Sequence, residues 1–81
     1  MRTTKSLREI ERLLADAVRA VKGCENFNGV VVDIALPGQE QQNGANWVTG
    51  FVDYGSASPM LCNVALASAV HELQLQFDAV P

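Results

Sequence analysis

The chain has 81 residues, six Lys plus Arg against nine Asp plus Glu, a net charge of −3 and 48% hydrophobic residues. At this length folding hides only about 60–65% of the surface that the unfolded chain exposes, so one small domain spanning residues 1–81 is expected, and no second. Hydrophobic content this high with so little net charge argues against wholesale disorder, and the acidic balance lacks the positive footprint that phosphate backbones require, which argues against a nucleic-acid partner.

Met1 to Ser6 starts basic, but Arg8, Glu9, Glu11 and Arg12 interrupt any apolar signal core, so no secretion signal is expected. From Leu7 to Lys22 the apolar residues Leu7, Ile10, Leu14, Val18 and Val21 recur at three- and four-residue steps, the pattern of an amphipathic helix. Ser6 with Glu9 three positions on marks its start, and Gly23, able to take a left-handed cap conformation, marks its end.

Val30 to Leu36 is rich in β-branched residues, with Val30, Val32, Ile34 and Leu36 on one face, and Pro37-Gly38 closes the strand. The polar segment Gln39 to Ala45 reads as the loop joining two antiparallel strands. Asn46 to Tyr54 is the second strand, in which Gly50 can mark a bulge that switches faces. Ser58 as cap and Pro59 at the first helical position then start a second helix that runs to about Phe77, while Asp78 to Pro81 carries no readable signal.

The expected fold is therefore α+β in the order α-β-β-α, a two-stranded antiparallel hairpin packed with two helices. On the second helix, Cys62, Leu66, Ala69, Val70, Leu73 and Phe77 form one apolar stripe, the expected core face. Met60, Val64, Ala67, His71 and Leu75 cluster on the opposite side, which a single helix covering one sheet does not require. A lone two-stranded sheet is also marginal. Two copies joined edge to edge into four strands, or packed through the second helix, would cover both surpluses, so a homodimer is expected, with a further protein partner as another possible cover.

Candidate chemistry is sparse, and no catalytic, cofactor-binding or metal-binding residues are assigned. His71 is the only histidine and the one side chain with an ordinary pKa near neutrality. Its largely apolar helical face points to packing or an interface. Cys24 and Cys62 fall at the same end of the hairpin and are candidate neighbours, with inert buried thiols the plainer reading. One His and two Cys without paired spacing do not make a zinc site. Gly50 to Ser56 superficially resembles a phosphate loop but lacks the Lys before Ser. Asp33 lies nearer Gly50 than Asp53 in the hairpin, so the two carboxylates do not form an acid–base pair. Trp47 and Tyr54 differ in parity and point to opposite faces unless a bulge intervenes.

Cys24-Glu25, Asn46-Trp47 and the closing Leu73-Gln74-Leu75-Gln76-Phe77-Asp78 resemble the pattern of small bacterial proteins without an assigned activity. The element order also resembles part of the double-stranded RNA-binding fold, less one strand and the basic end of the last helix. The expected function is a non-enzymatic interaction module that self-associates through apolar surface on helix two or the sheet, with Met60, Val64, His71, Leu75 and Tyr54 as interface candidates. The competing reading is a small ligand binder or minor enzyme using His71 with Cys62 or Asp53. No apolar run approaches the roughly 18–20 residues of a spanning helix, and the C-terminus has no lipidation motif, so no membrane partner is expected and the cytoplasm is the expected location.

Overall fold

The computed structural model describes residues 3–36 and 44–81. Its elements are β1 (Thr3–Ser6), α1 (Leu7–Arg19), β2 (Gly29–Ile34), β3 (Trp47–Asp53), α2 (Pro59–Gln76) and β4 (Phe77–Val80). The α+β class and the antiparallel hairpin agree with the sequence. The simple α-β-β-α order is corrected, because a short strand precedes α1 and another follows α2.

These terminal strands pair in parallel, Thr3 opposite Phe77 through Ser6 opposite Val80, as a sheet separate from the hairpin. The Lys5 ammonium lies 4.9 Å from the centroid of the Phe77 ring across the pair. Each strand has only four residues with no apolar–polar alternation, so a period-two pattern had nothing to register on. The second helix ends at Gln76, one residue short of the expected Phe77, and Phe77–Val80, of which the sequence gives Asp78 onward no readable signal, form β4.

In α1, Ser6 caps the helix by accepting from the Glu9 amide at 3.1 Å, while the Glu9 carboxylate pairs with Lys5. The helix stops at Arg19 rather than Lys22. Its last turn tightens through the Val21 amide on the Val18 carbonyl, and the chain reverses through Gly23 at φ 98°. Arg19 straps this reversal by donating to the carbonyls of Phe27 (2.7 Å) and Asn28 (2.5 Å). The residues given up from the helix bring Cys24 and Phe27 into the core.

β2 and β3 pair antiparallel, and the register slips so that Val30 faces Val52 while Val32 faces Thr49. Gly50 and Phe51 together oppose Val31, which makes the bulge anticipated at Gly50. The extra residue reverses the parity of β3, so Trp47 and Val52 both serve the inner face while Phe51 points to solvent. It also brings Trp47 and Tyr54 to the same side, where the Tyr54 ring meets Phe27 edge-on at 6.0 Å. The expected loop falls mostly outside the described residues, as do Pro37 and Gly38; Gly44 and Ala45 are described, and Ala45 is buried.

The core is centred on α1. Ile10, Leu14 and Val18 are fully buried and meet Val30, Val32 and Trp47 of the hairpin on one side and Cys62, Leu66 and Ala69 of α2 on the other. The α2 stripe expected to be buried is so at Cys62, Leu66 and Ala69 and half-buried at Val70, Leu73 and Phe77. The sheet stripe holds at Val30 and Val32 and fades at its end, where Leu36 is exposed.

Side chains seal the joints. The Trp47 indole donates to the Phe77 carbonyl (3.0 Å), and buried Gln74 donates to the Trp47 carbonyl (3.0 Å). The Asn46 amide both donates to the Ala79 carbonyl (2.9 Å) and accepts from the Ala79 amide (2.7 Å), reproducing a strand-like pairing with β4. Glu11 on α1 accepts from the Val32 amide at 2.8 Å, occupying a donor on β2.

Candidate functional site: the exposed face of the second helix

α2 starts at Ser58 and Pro59. The proline suits the first turn because its missing amide would have no partner there. The Ser58 side chain makes no capping bond, and its carbonyl instead accepts from the Cys62 amide at 3.0 Å. Among residues 59–76 the only ionisable side chains besides Cys62 are His71 and Glu72, and apolar residues occur all round the helix. A helix of that composition belongs in an interior.

Here only one side of α2 is buried. Met60 is 85% exposed, Val64 73%, and Leu61 and Leu75 53% each. At about 100° per residue these four, with Ser68 and His71, fall within roughly one third of the helix circumference. They form a stripe along its whole length. Beside the stripe, α2 and the α1 side of the fold, through Ala17 and Val21, form a shallow groove of about 500 Å³ whose lining includes Leu61, Val64, Ala65 and Ser68. Small side chains on its α2 wall leave room for a large apolar group to enter.

Four of the five interface candidates, Met60, Val64, His71 and Leu75, therefore share one solvent-facing surface. Tyr54 does not join them. It is half-buried on the hairpin side, and its hydroxyl donates to Asn63 Oδ1 at 2.7 Å. Leu61, which the sequence reading left out, belongs to the stripe. Its angular position, between the core stripe and the surplus stripe, assigned it to neither.

His71 also borders a cleft of about 410 Å³ between β3 and α2, with Thr49, Val52, Asn63, Val70 and Gln74 among its walls. Neither Cys62 nor Asp53 lines it. Asp53 sits at the far end of the hairpin, where it accepts from the Asn28 amide group (3.1 Å) and the Gly55 amide (3.0 Å). These two bonds hold its carboxyl below the usual value. The arrangement is a turn clamp. A Cβ at Gly50 would lie 2.8 Å from Asp33 Oδ2, which places the Asp33 side chain beside Gly50, two residues along β3 from its register partner Val48.

Cys24 and Cys62 are both fully buried, with sulfurs 2.6 Å apart. Burial pushes the Cys62 thiol up to about 11, and its contact with Cys24 and the Glu25 charge act in the same direction. Among the described residues no group of three or more His, Cys, Asp or Glu side chains is placed to hold a metal ion. None of their helices is long and apolar enough to cross a membrane. Comparison with known proteins finds no matching family model, no similar curated protein and no similar solved structure.

Proposed function

We propose that this chain is a small non-enzymatic interaction module of the cytoplasm that self-associates through the exposed face of α2. The observation that carries the reading is the continuous stripe of Met60, Leu61, Val64 and Leu75 on a helix with a single carboxylate and no Lys or Arg. Such a face gains more from cover than from water.

A second copy is the occupant that fits best, since an isologous contact needs a surface complementary to itself. In an antiparallel pair of α2 helices crossing at Ser68, Leu61 and Leu75 lie equally far on either side of the axis, so each meets the other across the contact. The absence of Lys and Arg from α2 means that neither copy brings a Lys or Arg to be buried unpaired in the contact. Glu72 flanks the stripe and keeps to the rim, whereas His71 lies within the stripe between Met60 and Val64.

Joining the hairpins edge to edge is the less favourable way to pair. Glu11 already occupies the Val32 amide of β2, and the bulge at Gly50 and Phe51 distorts β3. The enzymatic reading gains nothing from the geometry, because His71, Cys62 and Asp53 stand in three different places.

Sedimentation equilibrium tests the proposal. A mass rising from one chain toward two with concentration is the expected result. A mass of one chain throughout, up to millimolar protein, would remove self-association as the function.

A further inference from the structure

The core contains a pair of groups that the interaction surface does not use. Cys24 lies in the reversal after α1 and Cys62 in the first turn of α2, separated by 38 positions in sequence and by 2.6 Å between sulfurs. Both are fully buried. Two sulfurs this close are inside ordinary non-bonded contact and about half an ångström beyond the roughly 2.05 Å of a covalent bond.

The backbone supports the same placement independently. The Cys24 amide donates to the Val21 carbonyl (2.9 Å), the Cys24 carbonyl accepts from Phe27 (3.1 Å), and the Cys62 amide is held by Ser58 (3.0 Å). Next to the pair, a Cβ on Gly23 would stand 2.9 Å from Leu61 Cδ1, so the two chain segments abut on either side of the thiols. Among the described residues no third His, Cys, Asp or Glu is grouped with the pair to hold a metal ion.

We propose that Cys24 and Cys62 are an intrachain disulfide site, oxidised by exchange with a low-molecular-weight disulfide such as oxidised glutathione. The first exchange occurs when the reversal or the first turn of α2 opens locally, because neither sulfur is accessible in the closed fold. One cysteine thiolate attacks a glutathione sulfur, forming a mixed disulfide and expelling one glutathione thiolate. The second cysteine gives up its proton and attacks the protein-side sulfur, expelling the second glutathione. Two protein thiols are oxidised to one disulfide, and one glutathione disulfide is reduced to two thiols. In a reducing compartment the pair rests as the dithiol and closes only when the glutathione poise turns oxidising.

The full chain, unfolded in urea and refolded in glutathione buffers of graded ratio, tests this when free thiols are alkylated and the intact mass is measured. The doubly alkylated chain is expected to give way, with increasing oxidised glutathione, to a monomeric unalkylated species lighter than the reduced chain by two hydrogens. Closing a loop of this length should raise its Tm by roughly 10–20 °C over the reduced form. Cys24→Ala and Cys62→Ala should each stop at the glutathione adduct. Two alkylated thiols at the most oxidising ratio, an adduct that persists in the unsubstituted chain, or crosslinks only between chains would each overturn the proposal. The unsubstituted chain decides the matter even if a variant fails to fold.

Discussion

Replacing Val64 by Asp puts one carboxylate in the middle of the exposed α2 stripe. Val64 is 73% exposed in the single chain, so the fold itself should change by no more than about 0.5 kcal/mol, the range of ordinary surface substitutions. In a symmetric pair the same change occurs twice, and α2 offers neither carboxylate a Lys or Arg partner. A desolvated, unpaired ion costs several kcal/mol. Taking only about 2 kcal/mol for each gives about 4 kcal/mol, which weakens association by nearly three orders of magnitude. Sedimentation equilibrium reads the change directly, with urea unfolding of the same sample to show that the fold is intact. Val31→Asp, on the outer face of β2, is the control and should leave the mass alone. A Val64→Asp chain that associates as the unsubstituted one does would refute the placement of the contact on α2.

Leu14→Ala removes a fully buried side chain from the centre of the core and should cost about 2–5 kcal/mol, lowering Tm by roughly 10 °C or more in a scanning calorimeter. Gln74→Leu takes the donor from the Trp47 carbonyl and should cost about 1–3 kcal/mol by urea unfolding, with a red shift of Trp47 emission below the unfolding midpoint if the joint loosens. The Cys62 thiol is raised from 9.0 to about 11 in the folded chain. Its contribution to the reduced fold is therefore fully present below pH 9 and lost as pH rises through 11, because the unfolded thiol ionises first. The urea midpoint should fall more steeply across that window in the unsubstituted reduced chain than in Cys62→Ala; equal slopes would show that this thiol is not responsible.

Much of the central architecture was legible because the signals were strong and local. The apolar positions Ile10, Leu14 and Val18 repeat at helical spacing, and Ser6 caps the helix they form. Gly50 marked the bulge through the loss of a side chain in an otherwise β-branched run. On α2, the division between Cys62, Leu66 and Ala69 and the stripe of Met60, Val64 and Leu75 follows from periodicity alone. The neighbouring cysteines were suggested by the hairpin's ends, but periodicity carries no distance and could not say that the sulfurs touch.

What the sequence determined by itself was the class of fold, the two helices, the hairpin and the excess of apolar surface on α2, because each depends on residues a few positions apart. Only the tertiary structure decided the rest. β1 and β4 exist because α1 and α2 bring the two ends of the chain side by side, where backbone groups, rather than side-chain pattern, make the pairing. Asn46, Trp47 and Gln74 became structural joints for the same reason: their partners lie about thirty positions away. The pairing of β1 with β4 forms a second two-stranded sheet apart from the hairpin, and the apolar surface still in need of cover lies on α2.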